Sequence, residues 1–155
     1  KGSCVNEIGI RHFCGTSPYK MKIKRVEHIA IAVHNMKESM AMLENTLGLK
    51  LDYEETISET KLAMFPVGET SLELLQAVSP TSPVAEWIEE RGQSLFHLCF
   101  EVEDIDAALV ELKEKGVKLL DESPKPGHGG SRIAFLDPAS TGDILIELAE
   151  LPAGH

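Results

Sequence analysis

Aromatic residues are scarce in this chain of 155: one Trp, two Tyr and five Phe, 5% in all. A core must therefore be built mainly from aliphatic side chains, within a hydrophobic fraction of 43%. No apolar run approaches the roughly 18 residues that a membrane helix needs. Basic residues are outnumbered, 15 Lys and Arg against 25 Asp and Glu, for a net charge of −10. Nucleic acid and anionic membrane both demand a basic face, so neither is expected as a main partner. The three cysteines include no CxxC pair. That argues against a disulfide scaffold and for a reducing compartment: the cytoplasm, or the mitochondrial matrix if the source is eukaryotic. The length suits one domain, or one domain made of two fused halves.

Residues 1–20 stand apart. They hold Cys4 and Cys14 among scattered Gly, Ser and Pro, with no sustained period. They read as a leader or vector-derived segment without fixed structure, with Met21 as the natural start. A Cys4–Cys14 disulfide stays open and would be incidental to function.

From Met21 the chain repeats itself. His28-Ile29-Ala30-Ile31-Ala32-Val33 precedes Asn35, a helical run and Gly48-Leu49-Lys50-Leu51; His97-Leu98-Cys99-Phe100-Glu101-Val102 precedes Asp104, a helical run and Gly116-Val117-Lys118-Leu119. Each half reads as strand, capped helix, glycine stop, strand. Asn35 caps the first helix with Glu38 completing the box, and Met36, Met40, Leu43 and Leu47 share a face. Asp104 caps the second, Ile105, Ala108, Leu109 and Leu112 form its stripe, and Gly116 follows its end. Further strands are expected at 62–67 and 71–77 around a Gly68-Glu69 turn, and at 132–136 and 144–149 around a loop at 138–142. Ser82 and Pro83 open a connector helix that Gly92 stops after Arg91. The fold class is α+β: a βαβββ module over 21–78, a connector over 79–95, a second βαβββ module over 96–150 and a tail over 151–155.

Side chains alternate along a strand, so parity assigns faces. Ile29, Ile31 and Val33, Leu72 and Leu74, Leu98, Phe100 and Val102, and Ile144, Ile146 and Leu148 are expected on the helix side. The other parity puts His28, Glu73, His97 and Glu147 on the opposite face, one per strand, at matching places in the two halves. A lone histidine or glutamate in a strand is ordinary; four in register with an internal repeat are not. If the sheets curl so that these faces line one bowl, two imidazoles and two carboxylates converge. That donor set suits Co²⁺, Mn²⁺, Ni²⁺ or Zn²⁺, with positions left for water or substrate. Without an ion, two carboxylates in an apolar cleft carry a heavy desolvation cost or a raised pKa.

VEHIAIAV (26–33), LGLKL (47–51), PVGETSLELL (66–75), SPTSPVAEWIEERG (79–92), HLCFEVEDIDAAL (97–109), LKEKGVKLLDESPKPGHGGSRIAFLDP (112–138) and ILIEL (144–148) together resemble the vicinal oxygen chelate superfamily (glyoxalase, bleomycin resistance, dioxygenase). Within it the match is to the methylmalonyl-CoA epimerases, over residues 22–149. The resemblance implies two βαβββ modules forming a cupped sheet, usually in a homodimer. It implies a divalent ion, Co²⁺ or Mn²⁺ ahead of Ni²⁺ or Zn²⁺, on His28, Glu73, His97 and Glu147; some members have glutamine where Glu73 stands. The implied substrate is methylmalonyl-CoA.

Epimerisation between a thioester and a carboxylate removes a weakly acidic proton from one face of a carbon and returns it to the other. The ion stabilises the developing enolate, and two acid/base groups must flank the carbon. By resemblance Glu147 is one of them. Some members carry a glutamate in the third strand where this chain has Ala63; Lys61, of the same parity, is the expected substitute, with Glu59 and the Glu54-Glu55 pair as further options. The loop from Lys125 to Arg132 offers amides, a hydroxyl and cations for a phosphate or substrate carboxylate, so Lys125, Gly130, Ser131 and Arg132 are expected substrate contacts. His128 is expected to be an exposed loop histidine, and Asp137 stands where members often have histidine. Alternatives are a lactoylglutathione lyase of the glyoxalase I type, whose two-histidine, two-glutamate set this chain also matches, and a metal-free small-molecule binding protein. An extradiol dioxygenase would leave Glu73 unexplained.

Overall fold

The protein is described here by a computed structural model covering residues 21–154. The expectations for residues 1–20, including the Cys4–Cys14 pair, lie outside the described residues. The first half runs β1 (Ile23–Ala32), α1 (Met36–Asn45), β2 (Tyr53–Ile57), β3 (Thr60–Val67) and β4 (Thr70–Ala77). The connector is α2 (Pro83–Arg91). The second half runs β5 (Ser94–Val102), α3 (Ile105–Glu114), β6 (Lys125–Pro126), β7 (Arg132–Leu136) and β8 (Ile146–Glu150).

All eight strands form one sheet in the order β2-β3-β4-β1-β5-β8-β7-β6. In each half the first strand pairs in parallel with the last, β1 with β4 and β5 with β8, and the halves join where β1 meets β5 antiparallel. The order therefore reads alike from either end, as the repeat demands. The sheet curls until its two ends touch. Tyr53 on β2 and His128 in the β6–β7 loop are 3.0 Å apart, Oη to Nδ1, and the Gly129 N–H donates to Glu55 at 3.0 Å.

The helices form where their caps place them. Asn35 Oδ1 accepts the Glu38 N–H, and the Glu38 carboxylate takes a hydrogen bond from the Asn35 side-chain amide in place of the backbone N–H of a full capping box. Ser82 Oγ accepts the Val84 N–H, with Pro83 in the first turn. Asp104 Oδ1 accepts the Ala107 N–H at 2.9 Å, and Gly116, at φ 79°, takes the left-handed conformation that ends α3. On the outer face of the sheet α1 buries Met36 and Leu43 against Val33, Ala63, Phe65 and Leu74. α3 buries Ile105, Ala108, Leu109 and Leu112 against Val102, Ala134, Leu136 and Leu148. α2 covers part of the inner face instead, through Val84 against Ala30, Ala32, Leu62, Met64 and Leu75.

Three expectations need correction. Leu49-Lys50-Leu51 and Val117-Lys118-Leu119 are not strands; the only ladder contact there is a single bridge from Leu119 to Leu136. Their backbone closes the helices, Leu49 N–H on Leu43 O and Val117 N–H on Leu112 O, and their leucines and Val117 tuck beneath α1 and α3. The second strand of each half lies later, at β2 and in the two-residue β6. Leu47 is 59% exposed, outside the α1 stripe, and Ile144 is 50% exposed because the turn through Asp143 delays β8 to Ile146.

Asp104 is exposed and touches no core group, so its replacement isolates the cap. Asp104→Ala is expected to cost about 1 kcal/mol in a urea unfolding series, with Asp104→Ser restoring most of it.

Candidate metal centre and its cavity

Four adjacent strands, β4, β1, β5 and β8, form the floor of the bowl. Ala30 of β1 pairs with Glu73 on one side and His97 on the other, while Cys99 of β5 pairs with His28 and Glu147. Ala30 and Cys99 are small and fully buried. The four larger polar side chains thus rise into one space. His28 Nε2 lies 2.8 Å from His97 Nε2, 3.2 Å from Glu73 Oε2 and 3.4 Å from Glu147 Oε2. His97 Nε2 lies 2.6 Å from Glu147 Oε2 and 3.8 Å from Glu73 Oε2. All four residues are buried.

Two imidazole nitrogens that face each other cannot both use a proton on that contact, so a lone pair points into the centre beside two carboxylates. That arrangement fits a divalent cation. The ligand-type atoms of His28, His97 and Glu147 all lie within 4.8 Å of one another, as do those of Glu27, His28 and Cys99. The second trio is committed elsewhere. Burial and the neighbouring Glu147 carboxylate push the Cys99 thiol up to about 12, so it stays protonated, and Glu27 is bound to His28.

Burial raises the Glu73 carboxyl, with partial relief from His28 and His97. Glu147 is equally buried, yet His97 and His28 hold it well below the ordinary carboxylate value. Burial opposes charge on His28, but Glu73, Glu147 and Glu27 outweigh it and drive its pKa up.

Behind the four lies a residue that strand parity conceals. Glu27 is buried and takes a hydrogen bond from His28 Nδ1. Its Oε2 also stands 3.2 Å from His128 Nε2. Burial works against its charge, but the two histidines hold it down to about 2. Alternation would send Glu27 and His28 to opposite faces; the β1–β5 register shifts between Val26 and His28, and this bulge brings both inward. The carboxylate fixes the His28 tautomer, leaving Nε2 free to bind an ion. Nothing in the alternation of the sequence signals this.

Glu73, His97 and Glu147 floor a cavity of about 470 Å³, with His28 fully buried behind them. Ile57, Thr60, Leu62, Leu75 and Val84 wall it on the first half, and Lys125, His128, Ile133, Phe135 and Leu145 on the second. Lys125 lines it, 2.9 Å from Asp121 and 5.1 Å from the Phe135 ring centroid. Gly130, Ser131 and Arg132 do not line it. Arg132 points outward to Asp106 at 2.7 Å and Glu150 at 3.4 Å, and Ser131 O accepts the Gly127 N–H inside the turn.

Lys61 is also misplaced by the sequence reading. It shares the parity of Ala63 and Phe65, which pack under α1, so it leaves on the outer face, paired with Glu54 at 2.7 Å. Glu55 holds Gly129, and Glu59 accepts from Thr81 at the rim. His128, expected to be exposed, is 6% exposed. Gly127 lets the loop press inward: a Cβ there would stand 2.4 Å from Ile133.

Residues 27–135 match the family described as the glyoxalase/bleomycin resistance protein/dioxygenase superfamily. The chain belongs to that superfamily. An uncharacterized protein of Bacillus subtilis, YqjC, is 37% identical over 130 residues, covering 83% of this chain and 93% of that one. The ethylmalonyl-CoA/methylmalonyl-CoA epimerase of Cereibacter sphaeroides is 34% identical over 133 residues, covering 83% and 99%. The Streptomyces coelicolor methylmalonyl-CoA epimerase, solved with 2-nitronate-propionyl-CoA, superposes with a TM-score of 0.82 at 29% identity, covering 85% and 97%.

In this superfamily member Glu27 is a test of the ion site that needs no substrate. Glu27→Gln keeps the shape but removes the charge that His28 Nδ1 faces. Cobalt titration followed by visible absorption is expected to show a roughly 10- to 100-fold loss of affinity.

Proposed function

We propose that the chain is a methylmalonyl-CoA epimerase, interconverting the two epimers by proton abstraction and return through an enolate. The observation that carries this reading is the convergence of His28, Glu73, His97 and Glu147 on one point, with Glu73, His97 and Glu147 lining the cavity. The epimerase relatives support the choice of substrate. The donor set, two imidazole nitrogens and two carboxylates, suits Co²⁺ or Mn²⁺ ahead of Ni²⁺ or Zn²⁺. Bound there, such an ion supplies Lewis-acid stabilisation of the charge that develops as the proton leaves.

The chain's own groups divide the remaining work. Glu147, held ionised by His97 and His28, accepts the proton from the carbon between thioester and carboxylate. Lys125 brings an ammonium to the cavity wall for an anionic part of the substrate. Leu62, Leu75 and Val84 keep water from the opposite wall and leave room for the methyl branch. Homodimer formation and a cytoplasmic setting belong to the same proposal.

Proton NMR in D₂O with cobalt-loaded protein tests the reading. The methyl doublet of methylmalonyl-CoA is expected to collapse as the α-hydrogen exchanges. No exchange, together with turnover of the glutathione–methylglyoxal hemithioacetal, would replace it with a lactoylglutathione lyase.

A further inference from the structure

We infer that Tyr53 and His128 are positioning residues of the ion site: where the two ends of the sheet meet, they hold Glu27 against His28 and so fix the imidazole that faces the ion. The inference rests on the reading of His28, Glu73, His97 and Glu147 as ligands. It adds the support behind one of them and does not depend on the substrate.

The two imidazoles are held unequally. His97 Nδ1 has no hydrogen-bond partner among the described residues, whereas His28 Nδ1 donates to Glu27. A carboxylate steadies an imidazole only as far as it is itself held. Glu27 lies where the β1–β5 register shifts, between Val26 and His28, so regular pairing does not hold it. Among the described residues its carboxylate has hydrogen-bond or ion-pair contact with one group besides His28. That group is His128, whose Nε2 stands 3.2 Å from the same Oε2 that His28 uses. The His128 ring also meets His28 edge-on, with centroids 5.0 Å apart and planes at 80°.

His128 is fixed in turn by Tyr53, at 3.0 Å from Oη to Nδ1. The two come from opposite ends of the strand order, Tyr53 from β2 and His128 from the turn between β6 and β7. The hydrogens along this chain can be assigned. An ionised carboxylate has none to give, so both nitrogens facing Oε2 must carry theirs. That leaves Nδ1 of a neutral His128 as an acceptor for the Tyr53 hydroxyl. Burial and the Glu27 carboxylate push the phenol up to about 12, so the hydroxyl keeps its hydrogen. His28 then presents a bare Nε2 to the centre.

This support stands apart from the space proposed for the substrate. Glu27 and Tyr53 line a second cavity of about 300 Å³, with Arg25, Asp52 and Ser71, and neither lines the larger one. His128 lines both, so its ring is part of the wall between them.

Cobalt titration without substrate, followed by visible absorption, reads the effect on the ion alone. His128→Leu removes the N–H that faces Glu27 and is expected to weaken cobalt binding roughly 10- to 100-fold. His128→Gln, which keeps an N–H donor there, is expected to recover most of that affinity. Tyr53→Phe keeps the ring that packs against the cluster of Leu62 and Met64 and loses only the hydroxyl, so a smaller loss of the same sign is expected. Because His128 acts through Glu27, His128→Leu is expected to cost no further affinity in Glu27→Gln protein. Proton NMR of the cobalt-loaded protein gives a second readout. The His28 Nδ1–H, shifted by the paramagnetic ion and lost in D₂O, is expected to exchange faster in Tyr53→Phe than in the unsubstituted protein. Should His128→Leu fail to fold, Tyr53→Phe decides the matter on both readouts. Unchanged affinity and unchanged exchange overturn the inference. So does a loss from His128→Leu that is as large with Gln at position 27 as with Glu, which makes His128 an independent contributor. If the unsubstituted protein binds no cobalt, the ligand reading itself fails, and this inference with it.

Discussion

Two carboxylates and two imidazoles meet at the base of a largely apolar bowl, and the rest of the molecule is arranged around that contact. Buried charge of this kind is unstable unless each member is paired. Here each Nε2 faces carboxylate oxygens at 2.6–3.8 Å, and the two halves of the chain each supply one imidazole and one carboxylate. The antiparallel β1–β5 pair is therefore more than a seam between repeats. It brings His28 and His97 within 2.8 Å of each other, and any slip of its register would send one of them out of the bowl. The outer face, by contrast, is ordinary amphipathic packing under α1 and α3.

Electrostatics within the set are uneven although the backbone is nearly symmetric. Glu147 sits close to His97, at 2.6 Å, and stays ionised; Glu73 has no contact shorter than 3.2 Å to either imidazole, so burial dominates and its carboxyl pKa rises. Glu27 adds a further asymmetry, because it braces His28 while His97 Nδ1 has no hydrogen-bond partner among the described residues. The first half thus supplies the better-fixed imidazole, and the second half the more strongly ionised carboxylate.

Much of this was legible in the chain because it follows from local rules. Asn35, Ser82 and Asp104 cap as their types and spacing predict, and parity alone placed His28, Glu73, His97 and Glu147 on a common face. The failures share a cause: each required knowing where a backbone departs from regularity. Leu49 and Leu51 have strand-like alternation, but their positions directly after a helix commit the Leu49 N–H to closing it. Glu27 was hidden by a bulge, and His128 by the close approach of Gly127 to Ile133. Lys61 failed differently. Its parity with Ala63 was right, but that parity belongs to the face under α1 rather than to the cavity.

The symmetry of the sheet carries chemical meaning beyond stability. A folded chain made of one βαβββ unit would offer a carboxylate to one face of a substrate and leave the other to solvent. Repeating the unit about the β1–β5 pair places a second carboxylate and a second imidazole at the same centre. Epimerisation must take a proton from one face of a carbon and return one to the other, since abstraction and return on one side would only restore the starting epimer. The first-half wall is mainly apolar, built by Leu62 and Leu75 with Val84 of the connector, and Glu59 stands with them in the cavity lining. In this chain the equal contribution of each half to the donor set has one origin, the pairing of equivalent strands across the β1–β5 interface.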